Sequence, residues 1–121
     1  GSFGDAMDSM RKKGLNKTVE HAALSGKPFL GICLGLQLLF KSSQESPGAN
    51  GLGILSGNIS LIPGNAQLKV PHVGWNSVET KPQSRLFAGI PSGSYFYFVH
   101  SYYLNGADSA VVAGKQITEL K

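Results

Sequence analysis

Apolar residues recur with helical spacing between Asp5 and Leu24. The recurring positions are Ala6, Met7, Met10, Val19, Ala22 and Ala23. Gly14 interrupts this pattern and Asn16 can cap a second segment, so the spacing predicts two short helices rather than one long helix. Gly26 then acts as a stop signal, and Pro28 just after it cannot continue the helix.

Two apolar runs follow this first helical region. The run from Phe29 to Ile32 predicts a buried strand, and the run from Leu36 to Phe40 predicts a helix that extends from Cys33 to about Lys41. Residues Ser42 to Gly51 are rich in Ser, Pro, Gly and Asn and therefore predict a loop. A loop that follows a reactive residue so closely is expected to meet substrate.

Beyond Gly51 the pattern changes to short runs separated by Pro and Gly, which predicts strands. The predicted strands are Leu52–Leu55, Asn58–Ile62, Leu68–Pro71, Trp75–Glu79, Ser94–Leu104 and Ala110–Ala113. Helices around one strand, followed by several strands, fit an α/β sheet with an antiparallel extension. No earlier strand flanks Phe29, so we expect residues 1–121 to form a single, partial domain truncated at both ends. Unpaired edges next to Phe29 and Phe96 would favour self-association.

Composition and charge narrow the class of protein. A length of 121 residues suits one domain. The chain has one cysteine, no apolar run long enough to cross a bilayer and no basic-then-apolar leader, which predicts a reducing cytoplasm and no membrane partner. The net charge of +4 comes partly from Arg11, Lys12, Lys13 and Lys17. This cluster indicates a solvated helix face rather than a nucleic-acid site.

The single cysteine lies in the motif Gly31-Ile32-Cys33-Leu34-Gly35, where the predicted strand becomes the predicted helix. A sharp turn there would strain the central residue, and the flanking glycines would avoid a collision between a Cβ and the turn. The helix behind Cys33 would favour a thiolate, and the Leu34 amide could face an oxyanion. A small buried cysteine without chemistry is the alternative, but the motif favours a nucleophile.

A thiolate nucleophile needs a base or an oriented imidazole, and the chain has three histidines. His21 falls in a predicted helix, where a solvated surface role is expected. His72 precedes Val73-Gly74-Trp75-Asn76 in a predicted turn. His100 ends an aromatic strand and is the first candidate for a base from the residues alone, although a hydrogen-bonded strand histidine fits as well. We assign no residue to a metal and predict no cofactor.

Three motifs carry a family resemblance. Residues Gly26–Phe40 resemble the nucleophile region of class I, triad-type glutamine amidotransferases. Residues Lys69–Asn76 and Tyr95–Tyr103 resemble the glutaminase subunits of imidazole glycerol phosphate synthases, which act in histidine biosynthesis. The resemblance implies a flavodoxin-like α/β fold, glutamine as substrate, and a (β/α)₈ barrel cyclase as the partner that receives ammonia.

The resemblance also implies residue roles. Cys33 would attack the side-chain amide of glutamine and form a glutamyl thioester. Gln37 and Glu45 would bind glutamine, which suits an amide and a carboxylate. Three positions would cradle the amino-acid end of the substrate, so that His100 would not be the base: His100, Ser101 and Tyr102. Four positions would face the cyclase, with the indole largely exposed: His72, Gly74, Trp75 and Asn76.

Parts of the family pattern have no match. The family's catalytic His and Glu belong to a His-Pro-Glu segment near its C-terminus, and a Pro-Gly turn ahead of Gly1 would supply part of its oxyanion hole. We therefore expect a central fragment that hydrolyses glutamine very slowly, if at all, by itself. A non-catalytic partner-binding fragment remains an alternative. So does an α/β-hydrolase-type cysteine hydrolase, although Gln37 and the two strand motifs oppose it.

Overall fold

The computed structural model describes residues 2–106 and 114–116. These residues form two compact units, one made of residues 2–61 with 102–106 and the other of residues 62–101 with 114–116. The predicted strand Ala110–Ala113 lies outside the described residues. Within the described stretches, no helix is long and apolar enough to cross a membrane.

The first unit begins with the two predicted helices. Helix α1 spans Phe3–Lys12 and α2 spans Leu15–Leu24. Gly14 separates them in a left-handed conformation with φ 67°. Ser2 caps α1, because its Oγ accepts a hydrogen bond from the N–H of Asp5. The helical spacing of the sequence is confirmed here.

Helix α1 buries one face against the segment that follows Cys33. Phe3 and Met7 are buried with Leu38, and Leu34 packs against this cluster. Each such buried side chain contributes roughly 1.5–3 kcal/mol relative to exposure. The cluster therefore anchors the region of the cysteine to α1.

The helix after Cys33 is shorter than its sequence predicts. Helix α3 spans Leu34–Gln37 only, instead of reaching Lys41. The carbonyl groups of Leu38 and Leu39 accept hydrogen bonds from the N–H groups of Leu52 and Leu55, at 2.8 and 3.0 Å. Long-range pairing thus takes up the carbonyls that a continuing helix would use. The predicted strand Leu52–Leu55 is absent because its backbone bonds to this turn instead of to a sheet.

Six short strands complete the described fold: β1 (Ser42–Ser43), β2 (Asn58–Leu61), β3 (His72–Thr80), β4 (Tyr95–His100), β5 (Tyr102–Asn105) and β6 (Gly114–Gln116). In the first unit the sheet order is β1-β2-β5, with β1 parallel and β5 antiparallel to β2. Leu39, Phe40 and Ile59 form the buried cluster under it. Helices followed by mixed strands confirm the α/β class.

The second unit is an antiparallel sheet of order β4-β3-β6. Strand β3 starts at His72, three residues before the predicted start at Trp75, and the predicted strand Leu68–Pro71 does not form. The predicted long strand Ser94–Leu104 divides at Ser101 into β4 and β5, which belong to different sheets.

The segment Phe29–Ile32 corrects another prediction. It forms no strand, and Phe29, Leu30 and Ile32 are 42, 70 and 74 % exposed. The physical reason is that no neighbouring strand within the described residues hydrogen-bonds to this segment. Its apolar composition indicated burial, but burial of a strand depends on elements that cover it.

Candidate active site

Cys33 occupies the strained turn that its sequence motif predicts. Its backbone angles are φ 51° and ψ −114°, and it is the only non-glycine residue with positive φ in the described part of the chain. A conformation of this kind costs on the order of 1–3 kcal/mol and persists only where surrounding structure enforces it. The side chain is exposed. The elbow is therefore present even though the predicted strand before it is not.

The two glycines of the motif are not equivalent. A Cβ built on Gly31 would lie 2.9 Å from both the carbonyl oxygen of Gly35 and the backbone nitrogen of Leu36. Gly31 is thus required by the close approach of the chain to α3. A Cβ on Gly35 would meet no atom within 4 Å among the described residues, so the expected need for glycine at that position is wrong.

The turn leaves the backbone N–H of Leu34 available beside Cys33. Gly35 N–H donates to Ile32 O at 2.9 Å and Gln37 N–H donates to Cys33 O at 3.1 Å. The N–H of Leu34 donates no hydrogen bond to the described residues. Because α3 is a single turn, the summed dipole is weaker than the predicted longer helix would provide. What remains is a local donor next to the thiol.

Two predicted substrate-binding residues lie in the same unit as Cys33. Gln37 ends α3 and is half-buried. Glu45 lies in the loop after β1, and its carboxylate accepts a hydrogen bond from Phe3 N–H at 2.8 Å, while Ser46 Oγ accepts one from Gly4 N–H at 2.9 Å. The sequence did not predict this capping of α1. A carboxylate has further lone pairs, so the cap leaves Glu45 able to accept another donor.

The second unit contains a pair of histidines that the sequence analysis did not connect. His72 Nδ1 lies 3.2 Å from His100 Nε2, and the two residues are directly opposite in β3 and β4. The Phe98 ring lies 5.3 Å from the His72 ring and 5.5 Å from the His100 ring. Burial, and to a lesser extent the neighbouring charge of His100, lower the pKa of His72 below 6.5. Only strand register reveals this pair.

The remaining substrate-binding candidates lie where β4 ends. Ser101 O accepts a hydrogen bond from Ile62 N–H at 2.9 Å. Tyr102 begins β5 and pairs with Leu61. Tyr102 belongs to the unit of Cys33, whereas His100 and Ser101 belong to the other unit. Their convergence around a glutamine molecule stays a prediction.

The segment expected to face a partner is a strand rather than a turn. Trp75 is 69 % exposed, as predicted, and its ring makes an edge-on contact with Tyr97 at 5.6 Å. His72, Gly74 and Asn76 alternate with it and are half-buried, so the four candidates divide between two faces. Gly74 has φ 147°, which side chains rarely adopt. The exposed aromatic face consists of Val73, Trp75, Tyr95, Tyr97 and Val99.

Among the described residues, no group of three or more His, Cys, Asp or Glu side chains is placed to hold a metal ion. Cys33 is strained and exposed at the start of a helix, which is the geometry that a thiol nucleophile requires.

Comparison with known proteins places the chain in a family. The chain matches the family described as glutamine amidotransferase class-I over residues 1–119. It belongs to the class-I glutamine amidotransferases.

Similar curated proteins within this family share one subunit name. The chain is 49 % identical over 113 residues to the imidazole glycerol phosphate synthase subunit HisH of Rhodopirellula baltica, covering 93 % of this chain and 55 % of that protein. It is 48 % identical to the subunit of the same name from Moorella thermoacetica, covering 94 % of this chain and 53 % of the relative. With the subunit from Thermococcus kodakarensis the identity is 50 %, over 85 % of this chain and 50 % of the relative. The chain spans about half the length of these curated relatives.

Proposed function

We propose that the chain carries the nucleophile segment of a glutamine-hydrolysing subunit of imidazole glycerol phosphate synthase. The observation that supports this most strongly is the exposed Cys33 at φ 51° in a member of the class-I glutamine amidotransferases. The 49 % identity to a HisH subunit supports the narrower assignment. In this proposal residues 1–121 belong to one partial amidotransferase domain.

The proposed reaction begins with attack of the Cys33 thiolate on the side-chain carbonyl carbon of glutamine. The N–H of Leu34 donates to the oxyanion that forms. The C–N bond then breaks, the nitrogen takes a proton and leaves as ammonia, and a glutamyl thioester remains on the sulfur. Water hydrolyses this thioester, which releases glutamate and restores the thiol.

The other candidates bind the substrate in this proposal. Gln37 pairs with polar groups of glutamine, and Glu45 holds its ammonium in addition to capping Phe3. Three residues where β4 meets β5 cradle the amino-acid end: His100, Ser101 and Tyr102. A reactive thiolate requires a reducing compartment, so the proposed location is the cytoplasm.

The exposed aromatic face supports a partner-binding role. Trp75 and Tyr97 are 69 and 55 % exposed, and aromatic residues are enriched at protein interfaces. We propose that this face binds the (β/α)₈ barrel cyclase, which takes up the ammonia. His72, Gly74 and Asn76 contribute to this role by shaping the strand behind Trp75.

The proposed reaction needs a general acid and base that these 121 residues do not identify. The three histidines are followed by Ala22, Val73 and Ser101, so none belongs to a His-Pro-Glu segment. Loss of general acid–base catalysis costs roughly a hundredfold to ten-thousandfold in rate. We expect the 121-residue chain to release glutamate no faster than its Cys33→Ala variant, with or without the cyclase.

A chimera tests the proposed function directly. The segment of the Rhodopirellula baltica subunit that matches this chain is replaced by the corresponding residues of this chain, and glutamate release is measured with the cyclase present. Release that disappears in Cys33→Ala, while ammonia-dependent synthesis by the cyclase persists, is the expected result. Glutamate release that survives Cys33→Ala contradicts the proposal. So does a folded chimera that binds the cyclase and releases no glutamate, which favours a non-catalytic binding fragment.

A further inference from the structure

We infer that His72 is a positioning residue: its imidazole holds the ring of His100 and thereby fixes the backbone at Ser101. Because Ser101 is assigned to substrate binding only in the proposed function, the inference rests on that function. The inference gives His72 a second role: besides shaping the partner-facing strand, it positions the segment that binds substrate.

The register of the sheet brings the two imidazoles together. His72 opens β3 and His100 closes β4, and the two are Cα partners in the antiparallel ladder. The separation of 3.2 Å between His72 Nδ1 and His100 Nε2 is a hydrogen-bond distance. One of these nitrogens must carry a proton and the other a lone pair. The contact therefore requires at least one neutral ring and is specific in geometry.

Packing restricts both rings further. The two imidazoles meet edge-on with centroids 5.3 Å apart, and the Phe98 ring lies against each of them. Gly74, the partner of Phe98 in the ladder, has no side chain to displace that ring. The three rings lie on the half-buried face of the sheet, so reorienting His100 means breaking a hydrogen bond and disturbing aromatic contacts.

The pair stands at the point where the chain changes sheets. Strand β4 ends at His100 and β5 begins at Tyr102. Between them, Ser101 O accepts the hydrogen bond from Ile62 N–H. Ser101 is thus held by the end of β4 on one side and by this backbone hydrogen bond from Ile62 on its own carbonyl. Holding His100 in place consequently holds the direction in which Ser101 leaves the sheet.

Two substitutions separate the hydrogen bond from the packing. His72→Phe keeps an aromatic ring but removes both nitrogens, whereas the amide of His72→Asn lies near the Nδ1 position and can still donate or accept. His21→Asn, in α2, is the control for loss of a histidine elsewhere. Amide hydrogen exchange and ¹⁵N imidazole shifts are measured by NMR on the ¹⁵N-labelled 121-residue chain.

The expected result is faster exchange at the end of β4 in His72→Phe, about tenfold for the Ile62 amide that donates to Ser101 O, since a hydrogen bond contributes up to about 1.5 kcal/mol. His72→Asn stays within about twofold of the parent, a small change on the scale of that contribution. The His100 Nε2 signal shifts in His72→Phe and not in His21→Asn. If amide exchange and the His100 signal are unchanged in a folded His72→Phe variant, the inference is wrong. If His72→Phe and His72→Asn change amide exchange equally, the hydrogen bond has no part in positioning Ser101.

Glutamine titration in the Cys33→Ala background distinguishes the two proposals. Weaker binding in His72→Phe, restored in His72→Asn, supports the substrate role of the pair. Equal binding in both overturns that role while leaving the proposed function intact. No glutamine binding in the Cys33→Ala parent rejects the proposed function and the substrate role with it, and the exchange data still decide whether His72 positions Ser101.

Discussion

Gly31 approaches Gly35 so closely that a Cβ on Gly31 would lie 2.9 Å from the Gly35 carbonyl oxygen. The backbone at Gly31 thus lies close against α3, and Cys33 lies at the turn between them. The same construction at Gly35 meets nothing within 4 Å in the described residues. One glycine of the motif is therefore structural, and the other has room for a side chain.

The first prediction compares alanine substitutions at these two glycines. Gly31→Ala is expected to lower the free energy of unfolding by about 1–3 kcal/mol, because backbone atoms must move to admit the methyl group. Gly35→Ala, inside α3, is expected to be neutral or stabilising by up to about 1 kcal/mol. Urea unfolding of both variants measures the difference. Equal stabilities would show that the close approach at Gly31 is relieved without cost.

The second prediction concerns the cap that Glu45 places on α1. Glu45→Ala removes the acceptor for Phe3 N–H, so we expect a loss of about 1 kcal/mol in the free energy of unfolding, as for other helix caps. Glu45→Gln keeps an acceptor oxygen and should lose less. Asp8→Ala removes an exposed carboxylate from α1 and is the control. A loss in Asp8→Ala as large as in Glu45→Ala would mean that overall charge, rather than the cap, is responsible.

The third prediction tests the exposed aromatic face. Trp75→Ala should weaken binding to the barrel cyclase by about 2 kcal/mol, roughly 30-fold, as expected for a tryptophan anchor at an interface. Its stability should change little because the indole is 69 % exposed. Leu86→Ala is the matched control, since Leu86 is 67 % exposed and lies outside the strands. Titration calorimetry that finds the two variants equal would place the partner elsewhere.

The fourth prediction concerns the pH dependence of stability. The pKa of His72 is lowered below 6.5 in the folded chain, chiefly by burial, so the unfolded chain binds more protons as the pH falls below 6.5. The contribution of His72 is then complete above about pH 6.5 and is lost as the pH falls through the lowered pKa. Urea unfolding across this range should show a shallower loss of stability in His72→Asn than in the parent. If stability falls equally with pH in the parent and in His72→Asn, titration of His72 does not contribute to the pH dependence of stability.

Local signals were enough to predict part of this fold. Gly14 between two apolar spacings predicted two helices, and the motif around Cys33 predicted the strained turn. Both features depend on residues that are adjacent in sequence.

Features that depend on distant residues were missed. The length of α3 was overestimated because the apolar run Leu36–Phe40 continues past the end of the helix. The carbonyls of Leu38 and Leu39 instead bond to a segment more than ten residues further along the chain. The contact of His72 with His100 follows from the register of β3 and β4. A local sequence pattern does not reveal strand register. The break at Ser101 falls inside a continuous run of strand-forming residues, so the pattern showed no boundary.

Cys33 is proposed as the nucleophile of a glutamine-specific site. The most direct measurement uses an analogue of L-glutamine with a chloromethyl ketone in place of the side-chain amide, because alkylation of the thiol needs no proton for departing ammonia. Intact-mass spectrometry follows its addition to the 121-residue chain, with the D-enantiomer as a matched reagent of equal intrinsic reactivity. We predict that the L-analogue modifies Cys33 at least about tenfold faster than the D-analogue, a difference of about 1.4 kcal/mol, that glutamine slows it, and that Cys33→Ala is unmodified. Equal rates for the two enantiomers without protection by glutamine would contradict the account.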